Sequence, residues 1–181
     1  MLNAGRLLLI VLAGLACPPA LAWAQLIPNE YRLKAAFVYQ FTQFVEWPAA
    51  TWQDARTVQI CIAEPNQFGS ELEQLVHGES LNGRPLSVKE IFGADELDGC
   101  HVLYVSAASG DASVLLKVTT GRPILTVGEA DLFLEGGGII AMKNVDGRVR
   151  FVVSVVNAQK GGLQISSQLL SLALAVRGGL K

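Results

Sequence analysis

Three short runs of almost uninterrupted apolar residues constrain the fold of this chain more than any other feature of its sequence. They lie at residues 58–63, 100–105 and 123–127 and are rich in valine, isoleucine and leucine. Apolar runs of this length, bounded by turn residues, predict β-strands. Because these strands show no alternation of apolar and polar residues, they must be covered on both faces, as in a largely parallel sheet packed between helices.

The segments between these runs have patterns of their own. Apolar residues recur every three or four positions at 33–44, 68–77 and 163–176, which predicts three amphipathic helices, and residues 111–118 predict another helix. The first helix is expected to end before Trp47-Pro48, because a proline disfavours helical geometry in the residue that precedes it. Residues 85–89 alternate in polarity, which favours a strand at a sheet edge.

The C-terminal half contains a predicted antiparallel hairpin. Its strands, residues 139–142 and 149–156, flank Asp146-Gly147, a dipeptide typical of tight hairpin turns. The glycines at 136–138 precede a strand rather than a helix, so they predict a tight turn and not a phosphate-binding loop. The order of the elements predicts a single α/β domain with a mixed, mainly parallel sheet and helices on both faces, a Rossmann-like three-layer sandwich.

The N-terminus has the three parts of a secretory signal peptide. Arg6 supplies the positive charge, residues 7–15 form the apolar run, and Ala22-Trp23-Ala24 is a small-x-small cleavage site. We therefore expect residues 1–24 to be removed and residues 25–181 to form one exported domain that does not insert into the membrane. Two alternatives stay open: an uncleaved membrane anchor, and lipidation at Cys17.

Export determines how the remaining cysteines are interpreted. Cys61 and Cys100 are the two cysteines of the predicted mature chain, and an exported protein meets an oxidising compartment. A disulfide between them is expected, and two separate buried thiols are the alternative. Both cysteines lie in predicted strands that are often neighbours in doubly wound sheets.

The sequence contains no constellation typical of catalysis or cofactor binding. Ser166 and Ser167 lack the Gly-x-Ser-x-Gly pattern of a nucleophile elbow, and Glu71 and Glu73 sit two apart on a predicted helix, so their carboxylates diverge. The two histidines, His77 and His101, form no metal-ligand cluster. We predict neither an enzyme nor a bound cofactor. A formal net charge of −2 without a basic cluster also argues against a nucleic-acid partner.

Four residues are candidates for contacting a partner or a ligand. Arg148 and Arg150 share one face of a predicted strand and suit an acidic group, although a solvated outer face is the alternative. Tyr39 and Trp47 fall off the main apolar stripe of the first predicted helix. They are candidates for an exposed contact patch, with core packing as the alternative.

Several segments resemble the YfiR-like family of periplasmic proteins. The first is YRLKAAFVYQF at residues 31–41, followed by FVEWP at residues 44–48. The others are GGII at 137–140, GRVRF at 147–151, Asn157, and GLQISSQLL at 162–170. The resemblance covers nearly the whole predicted mature chain in the same order.

This resemblance implies a periplasmic α/β domain, often dimeric, with a disulfide at Cys61 and Cys100. The best-studied member of the family represses the membrane-bound diguanylate cyclase YfiN by binding its periplasmic sensor region, and release of repression raises cyclic-di-GMP and favours biofilm. The leading hypothesis is therefore a homodimeric regulatory protein that restrains an inner-membrane diguanylate cyclase or another sensor protein. The alternative is a periplasmic small-molecule receptor that binds its ligand at the carboxyl ends of the strands.

Overall fold

The computed structural model describes residues 29–178 of the chain. The predicted signal peptide at residues 1–24 and the lipidation candidate Cys17 lie outside the described residues. The predicted domain boundary at residue 25 lies there too and stays a prediction.

The described chain alternates between short helices and strands, with 3₁₀ turns at Ala49–Trp52 and Ala94–Glu96. The α-helices are α1 (Asn29–Gln43), α2 (Glu71–Val76), α3 (Ala112–Thr119), α4 (Val155–Lys160) and α5 (Ser167–Leu172). The strands are β1 (Val45–Glu46), β2 (Val58–Ala63), β3 (Ser80–Leu81), β4 (Arg84–Ile91), β5 (Cys100–Val105), β6 (Leu125–Gly128), β7 (Ile140–Val145), β8 (Arg148–Ser154), β9 (Gln164–Ile165) and β10 (Ala175–Arg177).

One eight-stranded sheet, ordered β10-β8-β7-β6-β5-β2-β4-β3, forms the centre of the fold. The strands from β4 through β2, β5 and β6 to β7 pair in parallel. The hairpin β7–β8 is antiparallel, and its turn residues Asp146 and Gly147 both have positive φ, as the Asp-Gly dipeptide predicts. A separate two-stranded sheet joins β1 to β9. The predicted mainly parallel sheet with a C-terminal hairpin is confirmed.

Hydrophobic cores lie on both faces of this sheet, because alternate residues of each central strand point to opposite sides. On one face, Ile60 of β2 and Tyr104 of β5 pack with side chains of α1 and α2. On the other face, Cys61 and Leu103 pack with α3 and the loop after β6. All six residues of β5 are buried. The prediction of strands covered by helices on both faces is confirmed.

Helix α1 differs from its prediction in its end and in its buried face. It ends at Gln43, before the predicted stop at Trp47-Pro48, because the next residues pair with β9 as strand β1. The buried side chains include Lys34, Val38 and Phe41, whereas Leu33 is exposed. The buried face is therefore turned by about one residue from the predicted apolar stripe.

The predicted helix over residues 163–176 is confirmed only at Ser167–Leu172 and is wrong on both sides of that range. That segment forms β9, the short helix α5 and the edge strand β10, which runs parallel to β8. The Ser166 hydroxyl accepts a hydrogen bond from the Leu169 backbone N–H and so starts α5 as an N-cap. Beyond the helix, the Leu174 N–H donates to the carbonyl of Phe151, which directs the chain into the sheet.

The end of β8 also departs from the sequence prediction, which extended this strand to residue 156. The strand ends at Ser154, whose hydroxyl accepts a hydrogen bond from the Asn157 N–H and starts α4. The Asn157 side chain donates to the carbonyls of Leu134 and Gly138, each at 2.8 Å. Asn157 therefore joins α4 to the loop between β6 and β7.

The glycine-rich turn before β7 closes around one aromatic ring. Gly137 has φ of +106°, which supports the predicted tight turn. The Phe133 ring is buried and lies so close to Gly128 and Gly138 that a Cβ atom on either glycine would overlap it. Small residues at these two positions are therefore a packing requirement of the second core.

We expect Gly138→Ala to destabilise the protein by about 1–3 kcal/mol, the usual cost of overpacking a core. The matched control is Gly110→Ala, because a Cβ atom at Gly110 meets nothing within 4 Å. Urea unfolding of both variants measures the difference. Equal stabilities of the two variants would show that the Phe133 ring moves aside without cost.

Candidate functional site

The predicted disulfide between Cys61 and Cys100 is present in the structure. The two cysteines lie on the neighbouring strands β2 and β5, with Cα atoms 5.8 Å apart and 39 residues apart in sequence. Cys61 is fully buried, and Cys100 at the start of β5 is almost so. The disulfide therefore joins the start of β5 to the middle of the neighbouring central strand β2.

A crevice of about 510 Å³ opens at the amino ends of β2, β5 and β6. Three basic side chains line it: Arg56 from the loop before β2, Lys89 from β4, and Arg122 from the loop before β6. Arg122 donates a hydrogen bond to the Asp98 carboxylate at 3.0 Å. Cys100 forms part of the wall, so the disulfide borders this crevice.

An aromatic stack supports one wall of the crevice. The rings of Trp52 and His101 lie parallel with centroids 5.3 Å apart, and the Arg84 guanidinium lies 5.2 Å from the Trp52 ring centre. The Gln59 N–H donates to His101 Nδ1 at 3.2 Å. Burial lowers the pKa of His101, so its imidazole is neutral at neutral pH. The wall is thus fixed by packing and hydrogen bonds.

The candidate contact residues Arg148 and Arg150 lie on β8 with exposed side chains. They line a groove of about 630 Å³ together with Val145, Leu172 and Leu174. Leu172 and Leu174 are exposed by 63% and 56%, and together with Val145 they give this groove an exposed apolar surface. We call Val145, Arg148, Arg150, Leu172 and Leu174 the β10 face, because they lie beside the edge strand β10.

The two aromatic candidates are not part of this face. Trp47 is buried and packs edge-to-face against Trp52, so its predicted exposure is wrong and the core-packing alternative describes its position. Tyr39 is half-buried, and its hydroxyl donates to the Glu79 carboxylate at 2.8 Å. This hydrogen bond raises the pKa of Tyr39. A role of Tyr39 in binding a partner stays a prediction.

A buried charge cluster occupies the carboxyl ends of β5 and β6. The Lys34 ammonium contacts the Glu129 carboxylate at 2.8 Å and the Glu30 carboxylate at 2.6 Å. The Tyr104 hydroxyl donates to the second oxygen of Glu129. The side chains of Lys34 and Glu129 are only 5% and 10% exposed. These ends of the strands, where the alternative hypothesis of a small-molecule receptor placed its ligand, therefore hold a paired structural ion cluster.

The other polar candidates have structural contacts. Glu71 pairs with Arg32 at 3.0 Å, and Glu73 is exposed on α2. Within residues 29–178, no group of three or more acidic, histidine or cysteine side chains is arranged to hold a metal ion. Across the same residues, no helix is both long and apolar enough to span a bilayer.

Sequence reasoning missed the cations of the crevice and the leucines of the β10 face. Arg56, Lys89 and Arg122 come from three separate segments and form no local motif. Leu174 was predicted to lie on the apolar side of a helix over residues 163–176, whereas helix α5 ends at Leu172.

Comparisons with known proteins give a family and a fold. The family model DUF4154, described as YfiR/HmsC-like, matches residues 31–174. No curated protein matches the chain. A solved structure of a conserved domain protein from Vibrio cholerae O1 biovar El Tor strain N16961 is similar, with a TM-score of 0.50, 10% identity, and coverage of 81% of this chain and 60% of that one.

A second solved structure, the ABC domain in complex with L-Trp from Streptococcus pneumonia, has a TM-score of 0.49 and 12% identity, with coverage of 77% of this chain and 58% of that one. The chain thus spans about three fifths of each of these two solved structures. The Vibrio likeness supports the α/β fold alone.

We expect Lys34→Met to destabilise the fold by about 3–5 kcal/mol, because it leaves the Glu129 carboxylate buried without its cation. Lys117→Met, on the exposed side of α3, is the control and should change stability by less than about 0.5 kcal/mol. Denaturant unfolding at neutral pH measures both. Equal effects of the two substitutions would show that the charge cluster adds no net free energy to the stability of the fold.

The stability difference between the wild type and Lys34→Met should depend on pH. Burial would lower the pKa of Lys34, but its hydrogen bonds with Glu129 and Glu30 outweigh burial and raise it. A raised lysine pKa contributes stability that is complete below the unfolded-state pKa and is lost as pH rises through the folded-state pKa. The stability difference between the wild type and Lys34→Met should therefore be constant from about pH 7 to 9 and narrow above about pH 10.5.

Proposed function

Because the chain belongs to the YfiR/HmsC-like family, we propose that it represses an inner-membrane diguanylate cyclase by binding the periplasmic sensor region of that enzyme. The observation that carries this proposal is the family match over residues 31–174, which includes nearly all of the described chain. The family suggests a periplasmic regulator of cyclic-di-GMP signalling. On this proposal, release of the cyclase raises cyclic-di-GMP and favours biofilm.

The β10 face supports a role in protein binding. Strand β10 is an edge strand, and all three of its residues are exposed. An edge strand presents free backbone N–H and C=O groups that a partner strand pairs with. The neighbouring leucines, Leu172 and Leu174, add apolar surface of the kind found at the centre of protein interfaces.

The charges of this face favour a particular kind of partner segment. Neither Arg148 nor Arg150 has a carboxylate within salt-bridge distance among residues 29–178. Arginine binds carboxylates through two parallel hydrogen bonds. We therefore assign to the β10 face an extended segment of the sensor region that carries apolar and acidic side chains.

On this proposal the protein acts by binding its partner, without a catalytic step or a cofactor. A regulator of this kind acts by differential binding, because it shifts the cyclase only as far as it prefers the inactive state of the sensor. The homodimer expected from the sequence resemblance belongs to the same proposal. Since two copies would compete with the sensor if they met at β10, the dimer contact must lie elsewhere.

We expect Leu174→Asp to weaken repression, because it places a charge at the centre of the apolar part of the β10 face. The control is Phe92→Asp, at an exposed aromatic residue after β4, near the opposite edge of the sheet. Each variant is expressed in a strain that lacks the wild-type gene, and cellular cyclic-di-GMP is measured. Wild type and Phe92→Asp should lower cyclic-di-GMP, whereas Leu174→Asp should leave it near the level of the deletion strain.

The physical interaction is tested by pull-down from detergent-solubilised membranes. Wild type and Phe92→Asp should recover a diguanylate cyclase, and Leu174→Asp should recover at least tenfold less, a loss of about 1.4 kcal/mol. Repeated recovery of no membrane sensor by the wild type would contradict the proposed function. If Leu174→Asp abolished dimerisation but still recovered the cyclase, the β10 face would be the dimer contact instead.

The disulfide should support both stability and repression. Replacing it in Cys61→Ala/Cys100→Ala opens a loop of 39 residues, a loss of about 4 kcal/mol in the chain-entropy model. Thermal melting and cyclic-di-GMP of this variant are compared with those of the wild type, with and without a thiol reductant. An unchanged melting temperature together with unchanged cyclic-di-GMP would contradict the prediction.

A further inference from the structure

We propose that the crevice at the amino ends of β2, β5 and β6 binds a small organic anion through a carboxylate or phosphate group. This site is separate from the β10 face, because β6, β7 and β8 lie between β5 and β10 in the sheet. The inference does not depend on the identity of the repressed partner.

The charges of the crevice favour an anion. Arg56 and Lys89 both line it, and among residues 29–178 neither has a carboxylate within salt-bridge distance. The Lys89 ammonium donates one hydrogen bond, to the backbone carbonyl of Glu96 at 3.3 Å. Arg122 is already paired with Asp98, and Asp54 is the other carboxylate of the lining. Arg56 and Lys89 are thus unpaired within the described residues, and the three basic and two acidic side chains of the lining give it a net charge of +1 in a chain whose formal net charge is −2.

The concave shape of the crevice strengthens its preference for an anion. The walls of a crevice exclude part of the solvent, so the field of a cation inside it is screened less than that of a cation on a flat surface. Guanidinium groups also match carboxylate and phosphate geometry through paired donors. An anionic group in the crevice can therefore be bound by Arg56 or by Lys89.

The size and walls of the crevice indicate a small molecule. Its volume of about 510 Å³ falls in the usual range of metabolite sites, about 300–1,000 Å³. Ala55, Pro123 and Ile124 contribute apolar surface beside the polar groups. The ligand class is therefore an organic acid or phosphate ester, and the crevice leaves room for an apolar part beside the anionic group.

Contacts within the chain hold the walls of the crevice in place. Arg84 donates to the carbonyl of Ala55 at 2.8 Å and to that of Trp52 at 3.0 Å, which fixes the loop that carries Arg56. Trp52 in turn stacks on the buried His101. Because little of the wall has to become ordered on binding, most of the interaction energy is retained as affinity.

Because Cys100 lies in the wall of the crevice, a bound ligand should also affect the reactivity of the disulfide. A ligand in the crevice would cover the side from which a thiol reaches the disulfide, since Cys61 itself is fully buried. Reduction requires a thiolate to attack one of the two sulfur atoms. Occupancy of the crevice should therefore slow the reduction of the Cys61–Cys100 disulfide.

The test uses citrate and inorganic phosphate as probes on the purified chain, with sodium chloride at equal ionic strength as the reference. Calorimetric titration and thermal melting should show saturable binding to the wild type with a dissociation constant no weaker than about 1 mM. Binding of citrate alone assigns a carboxylate ligand and binding of phosphate alone assigns a phosphate ester. Binding of neither to the wild type would overturn the proposal.

Substitutions in the crevice and on the β10 face show where the anion binds. Arg56→Gln/Lys89→Gln should weaken binding at least tenfold, whereas Arg148→Gln/Arg150→Gln removes the same charge from the β10 face and should leave it unchanged. Ala55→Trp fills the crevice without changing its charge and should also abolish binding. Equal weakening in the two double variants would overturn the proposal, because it would show a nonspecific charge effect.

The rate of disulfide reduction distinguishes binding in the crevice from a general stabilising effect of citrate on the protein. Citrate should slow disulfide reduction by dithiothreitol in the wild type and leave the rate unchanged in Ala55→Trp. The same slowing in both proteins would contradict a ligand seated beside Cys100. Since none of these measurements involves the cyclase, failure here and failure of the proposed repression are distinguishable.

Discussion

The burial of β5 on both faces is the constraint on which the rest of the structure depends. Every residue of this strand is buried, so helices or loops must cover the sheet on each side. Polar groups are then confined to strand ends, unless a buried partner satisfies them. In β5, His101 accepts a hydrogen bond from the Gln59 N–H, and the Tyr104 hydroxyl requires the carboxylate of Glu129, which in turn requires Lys34. The apolar sheet thus imposes the charge cluster at its carboxyl ends.

The same constraint explains which parts of the fold could be predicted from the sequence. Strands β2 and β5 follow from their apolar runs, and their adjacency gives the disulfide. The hairpin follows from Asp146-Gly147, because few residue pairs accept two successive positive φ angles. The C-terminal segment could not be predicted in this way. Its apolar residues fit a helical period, but the Ser166 cap and the edge of β8 divide it into helix and strand.

The candidate site was predictable only where it depends on local alternation. Arg148 and Arg150 lie on one exposed strand face, as a period of two requires. Trp47 was misplaced because its burial depends on Trp52, which packs against it from the following 3₁₀ turn. The crevice depends on tertiary arrangement alone: the parallel register of β2 and β4 places Lys89 opposite Cys61. No spacing along the chain encodes that proximity.

The weak attachment of β10 suits reversible binding to a partner. This strand has three residues, all exposed, and pairs with β8 along one side only. Short exposed elements open at lower free energy than the core, so rearrangement of β10 leaves the central strands intact. Its neighbour β8 is anchored through Phe151 and Val153 in the first core. A partner that binds at this edge therefore meets an adaptable strand on a rigid support, and neither the disulfide nor the charge cluster has to move.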